Sequence, residues 1–210
     1  MLEWEKIEGL SDYQNIIDYM ENHVNMIASN QAEEKVILTE HNHVITSGTS
    51  HSQEELKFNT EIPIVKTGRG GKFTYHGPGQ RVVYPIFDLK KQIWDKDLKK
   101  YLNFLHLWII STLEELGIEA HTRDDYIGVW TKIKNKDYKI AAIGIRARKW
   151  IVFHGFAINI FPDLKMFDSF VPCGISDLGV TSVKELGVDI SFEKFDEILK
   201  KQYYKQNIIK

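Results

Sequence analysis

The chain has 210 residues but only one cysteine, Cys173. An internal disulfide is therefore excluded, and the shortage of cysteine is typical of a protein of the reducing cytosol. We accordingly expect a cytoplasmic location. An isolated cysteine is most often a small buried hydrophobic residue, so Cys173 indicates a functional site only if its neighbours support one.

The sequence also lacks long apolar runs and an excess of one charge. No stretch approaches the roughly 20 apolar residues of a membrane span, and residues 1–5 show no sign of a secretory signal. The formal net charge is -2 and the isoelectric point is near 6.5, so nothing draws the whole chain to nucleic acid or to an anionic membrane. We expect neither as a partner.

Metal-binding and serine-nucleophile motifs are missing as well. There are eight histidines, but no pair stands at i, i+4 around a glutamate on a predicted helix, and there is no cysteine pair. No Gly-x-Ser-x-Gly elbow is present. We therefore predict no bound metal.

The regular elements predict one α+β domain over residues 1–210, because there are no repeats and no linker. Helices are expected at 13–27, with Ser11 as the N-cap, at 97–116, and from about residue 191 onward. Strands are expected at 36–39, 64–67, 81–86, 127–130, 139–145 and 150–160. Pro85 suggests that its strand lies at an edge or is ending. We expect the sheet to be covered on one side.

A glycine-rich segment runs from Thr67 to Gln80, with the sequence TGRGGKFTYHGPGQ. Glycine allows a close backbone approach to a ligand, and the polar residues of the segment supply hydrogen-bond donors. The spacing matches neither the P-loop nor the dinucleotide fingerprint. A long hairpin loop that needs glycine for its turns explains the segment equally well.

The cysteine itself lies between Pro172 and Gly174, which predicts a turn rather than a packed element. A free thiol titrates near pH 8.5, and a nearby cation lowers that pKa by roughly 1 to 3 pH units. A reactive Cys173 therefore needs a basic partner. The candidates are Lys139, His76 and His154. Lysines at strand ends usually meet solvent, and a histidine within a strand usually belongs to the core.

Taken together, the segments resemble the lipoyl(octanoyl) transferase (LipB) family. The matching stretches follow the family order, at family-like separations, over most of residues 35–185; they are RGGKFTYHGPGQ at 69–80, KIAAIGIR at 139–146, HGFAIN at 154–159, PCGI at 172–175 and TS at 181–182. One position departs from the pattern, because Val152 stands where family members often carry a hydroxyl residue.

The resemblance implies the fold of the biotin and lipoate protein ligase catalytic domain, a mixed, largely antiparallel sheet flanked by helices. It implies transfer of an octanoyl group from acyl carrier protein to a lysine of lipoyl domains, in the E2 subunits of 2-oxoacid dehydrogenases and in glycine cleavage H protein. Cys173 matches the family's thioester-forming nucleophile and Lys139 its partner lysine. The residues that match the acyl-substrate segments are Arg69, Gly70, Gly71, Lys72, Phe73, Thr74, Tyr75, His76, Ala142, Ile143, Gly144, Gly155, Phe156 and Ala157.

Such a reaction proceeds by two displacements and needs no cofactor, and we expect the enzyme to act as a monomer. Backbone N–H groups near Gly174 or in the Gly70–Gly71 turn are candidates to stabilise the oxyanion. Two other functions compete with this one. An ATP-dependent lipoate or biotin ligase would not need Cys173, and a non-catalytic acyl-binding module would bind without forming an adduct.

Overall fold

The computed structural model describes residues 2–52, 61–91, 93–169 and 179–208. Within these ranges the chain forms ten strands, three α-helices and one short 3-10 helix. The strands are β1 (Glu3–Ser11), β2 (Lys35–His41), β3 (Val44–Ser47), β4 (Ile64–Lys66), β5 (Phe73–His76), β6 (Gln80–Asp88), β7 (Val129–Ile133), β8 (Lys136–Arg148), β9 (Ile151–Asn159) and β10 (Gly179–Val180). The helices are α1 (Tyr13–Ala28), α2 (Leu98–Glu114), α3 (Phe192–Ile208) and the 3-10 helix (Leu164–Ser169).

The strands form two sheets. The larger sheet has seven strands in the order β1-β2-β6-β9-β8-β10, with β7 also paired to β8. Only the β1–β2 and β8–β10 pairs in it are parallel, so the prediction of a mixed, largely antiparallel sheet is confirmed. The smaller sheet has the order β4-β3-β5. The hairpin-like meander predicted after residue 127 corresponds to β7, β8 and β9.

Both faces of the large sheet are covered by helices, so the expectation of a one-sided sheet is wrong. Side chains alternate between the faces of a strand, and in β2 Val36 and Leu38 belong to the core under α2 and α3 while Ile37 belongs to the core under α1. The first helix therefore closes the face that the sequence left open. No helix of the described part is long and apolar enough to cross a membrane.

The N-cap of helix α1 lies one residue later than predicted. Asp12 is its N-cap, and the Asp12 side chain accepts a hydrogen bond from the backbone N–H of Asn15. Ser11 instead ends β1, where its hydroxyl bonds to Thr39 and His41. A serine and an aspartate in succession both satisfy the capping preference, and the strand pairing of Ser11 decides between them.

The helix α3 is tied to the centre of the sheet by buried polar contacts. The side chain of Arg81 on β6 is 1% exposed and forms an ion pair with Asp196 at 2.9 Å. The ring of Phe192 lies over its guanidinium, 4.1 Å from centroid to Cζ. The indole N–H of Trp108 on α2 donates to the carbonyl of Leu199 at 2.8 Å. These contacts fix α2 and α3 together over one face of the sheet.

Pro85 lies in a central strand, which corrects the edge assignment. The strand β6 pairs with β2 on one side and β9 on the other. The β6–β9 ladder is interrupted between the Val83–Phe156 and Phe87–Val152 pairs, so a residue without an N–H is tolerated there. His154 stands in the same gap with φ +59°, a conformation that non-glycine residues rarely adopt.

The crowding at this gap predicts that Gly155→Ala destabilises the protein. A Cβ atom at Gly155 would overlap the carbonyl of Val83 and lie 2.6 Å from Pro85 Cδ, and overpacking of this kind costs about 2 to 3 kcal/mol. The matched control is Gly70→Ala, whose Cβ would meet only the Ile145 carbonyl at 3.7 Å. Urea unfolding of both variants measures the difference, and equal stabilities would contradict the crowding.

Candidate active site

A cavity of about 510 Å³ lies between the glycine-rich segment and the strands β8 and β9. Its lining brings together most of the residues that the sequence motifs predicted. The predicted residues in the lining are Arg69, Gly70, Gly71, Lys72, Phe73, Thr74, His76, Lys139, Ala142, Ile143, Gly144, Gly155, Phe156 and Ala157.

The two strands meet at the cavity through pairs of small residues. In the antiparallel register Ala142 faces Ala157 and Gly144 faces Gly155. Small side chains at these positions leave room above the sheet, where bulky β-branched residues would fill it. The cavity therefore follows from the residue pairing of β8 with β9.

The glycine-rich segment crosses β8 at Gly144. The backbone N–H of Gly70 donates to the carbonyl of Ile145 at 3.0 Å, and a Cβ atom at Gly144 would lie 2.9 Å from Arg69 Cδ. Glycine at 144 thus allows the close approach of the loop. Because the Gly70 N–H is already engaged, it is no longer a candidate for the oxyanion donor.

Arg69 holds the glycine-rich segment in place from inside. Its side chain is buried, with 6% of the residue exposed, and its guanidinium donates to the carbonyls of Thr46, Gly70 and Lys72 and to the Thr46 hydroxyl at 2.7 to 3.0 Å. Bonds from one guanidinium to several carbonyls tie the loop to β3. Arg69 therefore both lines the cavity and shapes its wall.

Tyr75 is the one residue of the predicted 69–76 segment that does not line the cavity. It is fully buried in the core of the small sheet, packed edge-on against Phe167. Its hydroxyl and the Nδ1 of His43 are 2.7 Å apart, and burial raises the pKa of the phenol to about 12. Gly77 leaves the space that this hydroxyl occupies.

Lysines at strand ends usually point into solvent, but Lys139 lies in the cavity wall. It is half-buried, and its Nζ is 5.1 Å from the centroid of the Trp130 ring, a cation–π distance. A Cβ atom at Gly128 would come within 3.2 Å of the same Nζ. A tryptophan face on one side and a glycine on the other define where the ammonium group stands.

The other end of the cavity is buried and rich in histidine and tyrosine. Tyr13, His76, Tyr84 and His154 all line it, and His41 lies behind them with its Nε2 2.8 Å from the Tyr84 hydroxyl. Burial lowers the pKa of His41 to about 4 and that of His154 to about 3. Burial, with the charge of Arg69 as a smaller cause, holds the pKa of His76 well below its ordinary value.

Several lining residues were not predicted from the sequence. Tyr13 and Leu102 come from α1 and α2, where the helical apolar stripe indicated only core packing. Tyr126 and Ile127 come from the segment before β7, and Phe167 comes from the 3-10 helix. Their sequence positions carry no signal for a site, because long-range packing alone brings them to the cavity.

Cys173 falls outside the described residues, as do Pro172 and Gly174. The described chain on either side of them reaches the cavity, since Phe167 before and Val180 after are both lining residues. Val180 pairs with Lys139 in the β8–β10 ladder. Within the described ranges no group of three or more histidine, cysteine or carboxylate side chains is arranged to hold a metal ion.

Val152, the position that departs from the family motif, is fully buried in the core beneath α2 and α3. It does not line the cavity. An apolar side chain therefore suits its surroundings, and the departure leaves the lining unchanged.

Comparisons with known proteins agree with the fold and identify the family. A family model described as the lipoyl protein ligase A/B catalytic domain matches residues 12–204. An octanoyltransferase of Rickettsia peacockii (strain Rustic) is 45% identical over 206 residues, 98% of this chain and 99% of that relative. An octanoyltransferase of Rickettsia canadensis (strain McKiel) is 46% identical with the same shares. A bipartite lipoate protein ligase from Thermoplasma acidophilum is 15% identical but superposes with a TM-score of 0.73, over 100% of this chain and 86% of that one.

The chain belongs to the lipoyl protein ligase A/B catalytic domain family, within which these sequence relatives are octanoyltransferases. Its α+β fold is the one that lipoate and biotin protein ligases share. The family predicted from the ordered motifs is thereby confirmed, and the chain is an enzyme of the acyltransferase class.

The buried histidines predict a loss of stability in acid. The pKa values of His41 and His154 are lower in the folded protein than the ordinary value near 6.5, so the unfolded chain binds more protons between about pH 6.5 and 4. The free energy of unfolding is then highest above pH 6.5 and falls toward pH 4, by roughly 1 kcal/mol per histidine for each pH unit.

The measurement is urea unfolding at about pH 7 and about pH 5. His41→Gln should reduce the difference between the two, because it removes one of these titrating groups. Ile109→Val, a core substitution without a titrating group, is the control and should keep the wild-type difference. A His41→Gln protein with the wild-type pH dependence would show that His41 does not carry the effect.

Proposed function

We propose that the protein transfers an octanoyl group from octanoyl-acyl carrier protein to a specific lysine of lipoyl domains, in E2 subunits and in glycine cleavage H protein, in the cytoplasm. The observation that carries the proposal is the cavity, which Lys139 lines at one end and from which a strip of small residues extends along β8 and β9. Octanoyltransferases among the relatives support the acyl length.

The lining of the cavity favours binding of a medium-length acyl chain. Ala142, Ile143, Phe156 and Ala157 provide apolar lining, and each buried CH₂ group contributes about 0.8 kcal/mol. Eight carbons therefore supply several kcal/mol of binding. This binding energy favours placement of the acyl chain in the cavity.

In the first step we assign Cys173 as the nucleophile and Lys139 as its partner. Lys139 takes the thiol proton, and the Cys173 thiolate attacks the octanoyl carbonyl carbon. The new carbon–sulfur bond forms to Cys173 while the bond to the carrier's sulfur breaks. The carrier's thiolate leaves with the proton from the Lys139 ammonium group. The octanoyl group then rests on Cys173 as a thioester.

In the second step the neutral amine of the acceptor lysine attacks this thioester. A carbon–nitrogen bond forms, the bond to Cys173 breaks, and the proton lost by the amine passes to Lys139. The products are the octanoyl amide and a Cys173 thiolate beside the Lys139 ammonium, ready for another cycle. The thioester bond supplies the driving force, so the scheme requires no ATP.

The location of Lys139 supports this role. The strand β10 resumes the described chain after Cys173 and pairs with Lys139 directly, and the backbone N–H of Thr181 donates to the Lys139 carbonyl at 3.0 Å. Val180, which follows Cys173 in the sequence, thus lies beside the lysine. Phe167, which precedes Cys173, lines the same cavity.

The test is the intact mass of the protein after mixing with octanoyl-loaded carrier protein. We expect one octanoyl adduct that hydroxylamine removes, and none with Cys173→Ser. Transfer to a lipoyl domain by the Cys173→Ser variant, with a requirement for ATP, would assign the chain to ligase chemistry instead. Binding of the loaded carrier without an adduct or transfer would indicate a non-catalytic module.

A second prediction concerns Lys139→Ala. Loss of the cation should raise the pKa of the Cys173 thiol and so slow its alkylation by iodoacetamide at neutral pH. A rise of roughly 1 pH unit in that pKa corresponds to a rate about 10-fold lower. The control is Lys136→Ala, at the exposed start of the same strand. The rate is followed across pH, and identical profiles for the wild type and both variants would remove Lys139 from the proposed role.

A further inference from the structure

One polar group of the cavity stands apart from the rest. His154 is 2% exposed and lines the cavity, and neither of its ring nitrogens has a hydrogen-bond partner among the residues that the structure describes. A neutral imidazole always carries one N–H donor and one acceptor nitrogen. Buried polar groups of this kind are nearly always paired with protein, water or ligand, so the site is built to receive a partner.

The neighbouring polar side chains do not meet this need, because they bond to one another. The hydroxyl of Tyr84 lies 2.8 Å from His41 Nε2, and His76 Nδ1 lies 3.2 Å from Gln80 Oε1. His154 instead makes ring contacts, stacked on Phe153 at 5.1 Å and edge-on to Tyr84 at 6.4 Å. Its orientation is set by packing, and both ring nitrogens are buried without a hydrogen-bond partner among the described residues.

The backbone at His154 is also strained. Its φ of +59° falls in the left-handed region, and it interrupts the β6–β9 ladder at the centre of the large sheet. Residues held in such a conformation persist where the surroundings enforce it, and they concentrate at ligand sites. Ordinary strand geometry would alternate the side chain to the opposite face. The left-handed conformation instead places the imidazole beside Phe153 and Tyr84, in the lining of the cavity.

The position along the strands identifies what His154 would meet. It pairs with Ile145, whereas Lys139 lies earlier on the same strand. The two Cα positions on β8 are roughly 20 Å apart at the ordinary strand rise. That span accommodates the two side chains and a medium-length acyl chain between them. A medium-length acyl chain attached near Lys139 and running along β8 would therefore end near His154.

We propose that His154 is a specificity-determining residue, which forms a polar subsite for the terminal atoms of the acyl chain. An octanoyl chain stops short of the imidazole and leaves space for a hydrogen-bonding partner. A longer alkyl chain covers the imidazole with a methyl group and leaves it unpaired. A chain that ends in a hydroxyl group satisfies it. The subsite rests on the proposed acyl transfer and adds a preference for the chemistry of the chain end.

The experiment compares nonanoyl and 8-hydroxyoctanoyl groups, which have equal numbers of heavy atoms, as carrier-protein thioesters beside octanoyl. The wild type should use the hydroxylated chain at least several-fold better than nonanoyl in kcat/KM, because the alkyl end leaves a buried polar group unpaired. If the end of the cavity were apolar, the enzyme would prefer nonanoyl, because burying a hydroxyl group without a hydrogen-bond partner is unfavourable. Equal rates or a preference for nonanoyl would overturn the proposal.

Two variants separate polarity from shape. His154→Leu should reverse the order of the two chains, and His154→Asn should preserve it, because asparagine keeps a donor and an acceptor and tolerates positive φ. If both variants keep the wild-type preference, the subsite is not His154. The wild-type preference between the two acyl groups tests the proposal even if the leucine variant does not fold.

A binding readout distinguishes failure of the subsite from failure of the transfer reaction. The thermal stabilisation of the intact protein by octanoic, nonanoic and 8-hydroxyoctanoic acids needs no catalysis. The hydroxylated acid should stabilise the wild type more than nonanoic acid does, with the reverse for His154→Leu. If no acyl adduct forms but the acids stabilise the protein in this order, the transfer mechanism is wrong and the subsite is supported. If octanoyl transfer occurs but the acids show no such order, the subsite is wrong and the transfer mechanism is supported.

Discussion

Eight consecutive residue pairs join β8 to β9, from Ala141 opposite Ile158 to Arg148 opposite Ile151. A shift of one residue in this register would send every side chain to the other face of the sheet. It would remove the small-residue pairs that leave room for the cavity and move the Ile145 carbonyl away from Gly70. It would also separate Lys139 and His154 from the cavity that they line. The positions of Lys139, His154 and the small-residue pairs thus depend on one antiparallel ladder.

The local parts of this arrangement were accessible from sequence. The apolar stripe of α2 and the β-branched runs of β8 and β9 have clear periods, and these elements appear where the patterns predicted them. The motif residues of the cavity were found because a family resemblance groups them, whereas the glycine-rich segment alone was equally consistent with a simple hairpin loop. Local patterns describe elements well because they depend on neighbouring residues in the chain.

The parts that sequence did not predict depend on contacts between distant residues. Within the described chain the strand β1 pairs with β2 alone. Its surface is exposed and charged, and its sequence lacks the apolar alternation that signals a strand. Pro85 indicates an edge by its chemistry and is tolerated at the centre only because His154 interrupts the ladder. Tyr13 and Leu102 satisfy a helical core pattern whether or not a cavity lies beside them. In each case the deciding partner lies far away in sequence.

The ion pair between Arg81 and Asp196 has a consequence for how the chain acquires its structure during synthesis. Arg81 is made early, in the strand at the centre of the sheet, while its carboxylate partner belongs to the last helix. At the usual rate of about 5 to 20 residues per second, the arginine waits on the order of 10 s before Asp196 is translated. During that interval the guanidinium keeps its water and the face of the sheet beneath α3 stays uncovered. Completion of the core on that face is therefore a late event, governed by the arrival of the last helix rather than by the pairing of the strands.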